Sequence, residues 1–227
     1  MRLLLKLSGE LLGQNELSFE QALKLAYVLK ECKNKGNEIC IVVGGGNLWR
    51  GRSHNEMNIT DSDTIGMLGT CMNAICLKAA LKEIGVKATV MSSINLKFTE
   101  DYITSRAEEL IKDEIIILAG GLGVPALSTD TTAAVRGAEL AVDYILKGTN
   151  VDGVYSNDPK IDKYAFKYDK ISYRFALENH LRIMDTSAFE ICEKNDIKLI
   201  IYNANDLNNI IKVCNGETIG TIVEKYE

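Results

Sequence analysis

Short apolar runs alternate with longer amphipathic stretches along this chain. The runs at 2–7 (RLLLKL), 38–43 (EICIVV), 87–91 (KATVM), 114–119 (EIIILA), 142–147 (VDYILK) and 197–202 (IKLIIY) predict strands. Between them, 18–36, 62–85, 101–112, 129–141, 173–179 and 186–195 carry helical spacing. In 62–85 the residues Ile65, Leu68, Met72, Ile75 and Leu77 keep mainly to one side, a stripe that suits either the core or a contact with another chain. Strands apolar throughout are covered on both faces, so the order predicts an α/β fold with a mostly parallel central sheet between helices. The stretch 150–172 is polar and turn-rich and predicts a loop or small hairpin crossing one sheet edge. No repeat, low-complexity tract or linker interrupts 1–227, and Pro occurs only at 125 and 159, so one domain is expected.

Composition narrows the chemistry. The 227 residues are 46% hydrophobic and 25% charged, enough for a full core. The net charge of −5, without a basic block, argues against a nucleic-acid partner. An anionic substrate must then be drawn in by a few local Lys and Arg side chains. Six cysteines without a CxxC pair, and the separated His54 and His180, argue against zinc and against Cys–His catalysis. The first apolar run is too short for a signal peptide or a membrane span, and with free thiols this predicts a cytoplasmic protein without a membrane.

The glycines supply the functional signal. KLSGE follows the first strand, GGGN the second and AGGLGVP the fourth. Three parallel strands thus end in glycine at their carboxyl edges, where α/β sheets bind ligands. Successive backbone N–H groups in such turns form anion-binding concavities, so an extended phosphorylated ligand is expected. Neither a GxxxxGK[ST] loop nor GxGxxG occurs, which sets aside P-loop enzymes and nicotinamide-binding Rossmann domains.

Charged neighbours point to phosphate chemistry. Lys6 precedes Ser8-Gly9 and can act as a point charge; Arg50 follows the triple glycine and can reach back with its fork, with Arg52 as a competitor. Trp49 is read as packing. STDTTAAVRGAEL reads as a helix start in which Ser128, Thr129 or Asp130 caps and Thr131 and Thr132 leave N–H groups free for an anion. Asp130 is either that cap or a carboxylate that holds a cation, Mg²⁺ or Lys6. Asp63 begins another helix and suits a ribose hydroxyl or a cap, and Tyr155 with Asp158 suits an adenine pocket or an ordinary turn.

KLSGE, GGGNLWRG, DTIGMLGTCMNA, STDTTAAVRGAE, KGTNVDGVYSNDP and IMDTSAFE stand in the order and spacing of the bacterial uridylate kinases of the amino acid kinase superfamily, which the chain resembles from about residue 2 to 223. The resemblance implies a three-layer α/β/α sandwich, a homohexamer, frequent control by GTP and UTP, and Mg²⁺-dependent phosphate transfer from ATP to UMP. It assigns Lys6, Leu7, Ser8, Gly9, Gly46, Arg50, Thr149, Tyr155 and Asp158 to ATP. It assigns Gly45, Asp63 and the loop Leu122, Gly123, Val124, Pro125, Ala126, Leu127, Ser128 and Thr129 to UMP. Lys6, Arg50, Asp130 and Asp185 fall beside the transferred group, Asp185 on the resemblance alone, and no protein metal-ligand set is assigned. The chain departs from the family's G-T-G-N-P at GLGVP, where Leu122 and Val124 remove two hydrogen-bonding side chains from the acceptor loop. Rival readings are a kinase for another small acidic acceptor and a non-catalytic nucleotide or oxyanion store.

Overall fold

The strand alternation seen in the sequence becomes two cores. A computed structural model describes residues 1–51, 56–181 and 183–225. Its main sheet has nine strands in the order β4-β3-β5-β2-β1-β6-β10-β11-β9. The central ones are β1 (Arg2–Leu7), β2 (Glu38–Val43), β5 (Ile115–Ala119) and β6 (Tyr144–Thr149). They are flanked by β3 (Ala88–Ser92) and β4 (Glu100–Asp101) on one side, and by β9 (Lys170–Ser172), β10 (Lys198–Asn203) and β11 (Thr221–Glu224) on the other. Odd positions of β1 and β2 (Leu3, Leu5, Ile39, Ile41) join one buried cluster with α1 (Phe19–Asn34), α2 (Ile59–Glu83) and α7 (Asn208–Cys214). Even positions (Leu4, Cys40, Val42) join a second cluster with α3 (Thr104–Leu110), α4 (Thr129–Glu139), α5 (Tyr173–Glu178) and α6 (Thr186–Lys194). Period-two alternation therefore carries a helix layer on each face.

The predicted elements stand within three residues of these bounds, and the sheet is parallel except where β10 meets β11. The stretch expected as a hairpin contains one, β7 (Val154–Tyr155) on β8 (Lys167–Tyr168), followed by β9, which joins the main sheet. The strands β4, β9 and β11, the helix α7 and a 3-10 turn at Gly9–Leu12 were not anticipated. All are short or polar, and their apolar residues are too few to show a period.

The stripe on α2 divides, with Leu77 in the core and its exposed members facing outward. Its core side is Gly69, Thr70, Cys71, Asn73, Ala74, Leu77, Ala80 and Leu81, whereas Leu68, Met72 and Ile75 are exposed. The helix is long and apolar enough to cross a membrane by length and composition, yet its inner side packs in the first cluster.

That inner side also fixes the triple-glycine turn. A Cβ on Gly45 would stand 2.6 Å from the Gly66 carbonyl oxygen and 3.1 Å from the Thr70 nitrogen, both backbone atoms of α2. Gly46 has nothing within 4 Å. Of the three, only Gly45 is a packing requirement. We expect Gly45→Ala to cost about 1–3 kcal/mol of stability, as overpacking does, and Gly46→Ala to cost less than about 1 kcal/mol. Thermal or urea denaturation of the two variants checks this, and equal midpoints would contradict it.

Candidate active site

Strand parity and register decide what meets at the carboxyl edge. Lys6 and Lys147 are register partners on adjacent parallel strands β1 and β6. Lys6 shares the face of Leu4, and Lys147 that of Ile145, so both side chains project toward α4. The chain runs from β1 to β2 on one side and returns to β6 on the other, so their ends form a topological switch point, the usual ligand crevice of an open α/β sheet.

Two ammonium groups side by side repel unless something stands between them. Asp130, in the first turn of α4, does so. Its carboxylate is 2.9 Å from Lys6 Nζ and accepts from Lys147 Nζ at 2.5 Å, and Lys147 also donates to the Ile183 carbonyl at 2.5 Å. Burial pushes the Asp130 carboxyl up, but the charges and hydrogen bonds of Lys6 and Lys147 outweigh it and hold the group below the usual carboxylate range. Lys147 is pulled below the ordinary lysine value by burial and by Lys6, with Asp130 countering. The trio carries a net positive charge on a chain that is negative overall.

Asp130 is therefore a bridge between cations, not a helix cap. The cap of α4 is Ser128, whose Oγ accepts from the Asp130 and Thr131 nitrogens, each at 3.1 Å, while its carbonyl takes the Thr132 nitrogen. The N–H groups expected to be free at Thr131 and Thr132 are thus engaged. Asp185 occupies the cap position of α6 but makes no capping bond there. Its carboxylate instead accepts from Ser128 Oγ, and from Thr131 Oγ1 at 3.2 Å, tying the starts of α4 and α6 together.

Three adjoining cavities run along this edge. The first, of about 330 Å³, is lined by the segment Lys6, Leu7, Ser8 and Gly9, by Gly45, Gly46 and Arg50, and by Asp63. Trp49 also faces it and donates to Ser62 Oγ at 2.9 Å. The second, of about 600 Å³, is lined by Thr149, Tyr155 and Asp158. The third holds Asp130, Lys147 and Asp185, shares His180, Leu181 and Ile183 with the second, and is linked to the first through the Lys6–Asp130 pair. Site residues far apart in sequence thus line three cavities tied together by the Lys6–Asp130–Lys147 trio and by shared walls.

Individual residues depart from expectation. Arg50 pairs with Glu10, and both are largely exposed, so this surface pair holds the guanidinium only weakly. Asp63 lies inside α2, whose cap is Asn58, and its carboxylate accepts from the Ala126 nitrogen at 2.8 Å. Tyr155 donates to Asp152 at 2.7 Å, and Asp158 accepts from the Lys160 nitrogen in a local turn. Thr149 Oγ1 bonds the Val151 backbone. Of the acceptor loop, Val124, Leu127 and Thr129 line the first cavity; Gly123, Pro125, Ala126 and Ser128 do not, and Leu122 faces a different depression beside Arg136. Arg52 and His54 lie outside the described residues. Lys147 was not singled out from sequence, although it stands in the quoted KGTN motif, close to the end of β6 as Lys6 is close to the end of β1.

The model of the amino acid kinase family matches residues 1–203. A uridylate kinase of Erythrobacter litoralis (strain HTCC2594) is 41% identical over 98% of this chain and 97% of its own. Among solved structures, the UMP kinase of Bacillus anthracis superposes with a TM-score of 0.95 at 31% identity, over 100% of this chain and 96% of its own. The UMP kinase of Ureaplasma parvum gives 0.93 at 35%, over 99% of both chains.

The pairing of Asp130 has a pH consequence. A carboxyl held low in the folded state contributes stability that is present above its unfolded value, near 4, and lost as pH falls through the folded value. Asp130→Asn should lower stability at pH 7 by about 3–5 kcal/mol, because the buried Lys147 and the half-buried Lys6 lose their counter-charge. The gap to the unsubstituted chain should narrow as pH drops below about 4. Urea unfolding at pH 7 and pH 3 measures both, and a gap independent of pH would contradict the assignment.

Proposed function

The chain belongs to the amino acid kinase family, among its uridylate kinases, and from that premise we propose that it transfers the γ-phosphoryl group of ATP to UMP, giving UDP and ADP. The observation that carries this reading is the Lys6–Asp130–Lys147 trio, with Lys6 in the wall of the glycine-lined cavity and Lys147 in the cavity that shares His180, Leu181 and Ile183 with the one around Thr149, Tyr155 and Asp158.

The chemistry follows from what the trio can do. A UMP phosphate oxygen attacks the γ-phosphorus, the bond to the β-bridging oxygen breaks, and ADP leaves with the electron pair. The attacking oxygen is already ionised, so no general base is needed, and the work is positioning and charge neutralisation. In this proposal Lys6 and Lys147 meet the equatorial oxygens of the transferred group, and Asp130 holds both ammonium groups apart and aimed. Arg50, released from Glu10, closes on the phosphates where the two nucleotides meet. The segment Lys6–Gly9 with Gly46 takes the ATP phosphates, and Thr149, Tyr155 and Asp158 take the adenosine side. Gly45, Asp63 and the loop 122–129 take UMP, with Val124 and Leu127 presenting an apolar wall to it.

Magnesium belongs to the same reading. In this reading the ion is carried mainly by the ATP phosphates. Asp185, in the lining of the third cavity, is the carboxylate we assign to it. When bound, Mg²⁺ supplies neutralisation of phosphate charge. The proposal further includes one domain over 1–227, a cytoplasmic location and a homohexamer under GTP or UTP control. Six free cysteines, five of them buried, support a reducing compartment, and the exposed Leu68, Met72 and Ile75 stripe supports self-association through α2.

An ADP-release assay with Mg-ATP and UMP, CMP, dUMP, GMP, AMP or carbamate tests the reading. We expect turnover with UMP, and a fall in kcat of at least ~10² for Lys6→Ala, Lys147→Met and Arg50→Ala. No turnover with UMP in a chain that binds ATP, or normal turnover in a folded Lys147→Met protein, would overturn it.

A further inference from the structure

The acceptor loop from Gly120 to Ser128 leaves β5 and returns into α4. It begins with three glycines in the left-handed region, Gly120 (φ 73°), Gly121 (φ 57°) and Gly123 (φ 79°), so its path is one that ordinary residues resist. Neither Leu122 nor Val124 can hydrogen-bond through its side chain. Within its glycine-rich start the Gly123 nitrogen donates to the Gly120 carbonyl at 2.9 Å, so side-chain support for this part of the loop must come from outside it.

That hold comes from beneath. Ser93, just after β3, donates from Oγ to the Gly121 carbonyl at 2.7 Å. Arg136 Nη2 donates to the same Ser93 Oγ at 2.8 Å. The guanidinium is nearly buried, lies 3.6 Å from the centre of the Tyr102 ring, and pairs through Nη1 with Glu139 at 2.6 Å. Tyr102 in turn donates to Glu139 at 2.9 Å. Each member is thus held by at least two others, and Arg136 has little freedom left to lose. The loop also closes on Ser93 sterically, since a Cβ on Gly123 would stand 2.7 Å from the Ser93 carbonyl oxygen.

Arg136 lies two turns along the helix whose first turn carries Thr129 and Asp130. The contact therefore joins the exit of the loop back to its entrance, closing it at the base, while Asp63 pins its middle through the Ala126 nitrogen. We propose that Ser93 and Arg136 are positioning residues for the phosphate acceptor, setting the path of the 120–128 loop through the Gly121 carbonyl. This rests on reading the side of the first cavity lined by Gly45, Asp63, Val124 and Leu127 as the UMP pocket. Nothing in the network touches the cavity of Thr149, Tyr155 and Asp158, so its loss should be felt on one substrate only.

The test is Ser93→Ala, with Ser93→Thr as the variant that keeps the hydroxyl. Losing one neutral hydrogen bond that orders a binding loop should raise KM for UMP roughly three- to tenfold. The KM for ATP should stay within about twofold, and Ser93→Thr should recover most of the UMP affinity. An unchanged KM for UMP in folded Ser93→Ala, or KM values for both substrates rising together, would overturn the proposal. Hydrogen exchange over residues 120–128 reads the same clamp without any substrate. Faster exchange in Ser93→Ala supports it and unchanged exchange overturns it, whichever acceptor the enzyme uses. If Ser93→Ala does not fold, Arg136→Lys carries the same comparisons, because it keeps the charge against Glu139 and loses the fork that reaches Ser93.

Discussion

Everything at the carboxyl edge depends on one carboxylate between two ammonium groups. Strand parity forces Lys6 and Lys147 onto the same face, and parallel register sets them side by side. Unrelieved, that juxtaposition would push apart the two strands on which the sheet turns. Asp130 turns it into an attraction, but supplies only one negative charge for two positive ones. The trio is folded with a deficit of negative charge. A phosphoryl group in transit, with its charge spread over three oxygens, is the kind of partner that fills such a deficit.

The rest of the fold can be understood as the means of bringing anions to that point without letting them wander. The helix α2 is keyed on its inner side to both glycine-rich edges. Gly45 packs against its backbone, Asn73 donates to the Gly44 carbonyl at 2.7 Å, and Thr70 accepts from the Gly120 nitrogen at 2.9 Å. Asn73 and Asn47 also exchange reciprocal amide bonds in full burial, fixing the turn that faces Gly9. One rigid helix thereby sets the distance between the turn assigned to phosphates and the loop assigned to the acceptor. On its outer side the same helix exposes an apolar stripe, so a neighbouring subunit seated there would rest on the element that gauges the site.

Much of this was legible in the chain. Apolar runs without polar alternation marked the doubly covered strands, and glycine at three strand ends marked the ligand edge. Lys6 was visible because a phosphate-type turn follows it directly. Lys147 was not, because its significance lies in register with a strand 140 residues away, a relation that local pattern does not encode. The same holds for Asp185, which sits where any N-cap aspartate would sit and reveals its partners only when α4 and α6 are packed. Asp130 was seen with two roles open, cap or cation partner, and tertiary structure chose between them. The α2 stripe shows the opposite failure. Its apolar spacing was plain, but periodicity cannot say whether such a face meets the core or another chain.

The most direct test of the central claim is calorimetric titration with a bisubstrate analogue in which adenosine and uridine are joined by a polyphosphate bridge. If the trio lies where phosphate passes between two nucleotide pockets, one analogue should bind per chain, more tightly than ATP or UMP alone. Lys147→Met should then weaken it at least ~tenfold, in line with the loss of a charge-assisted contact. Binding no tighter than ATP alone, or binding indifferent to Lys147, would contradict the account.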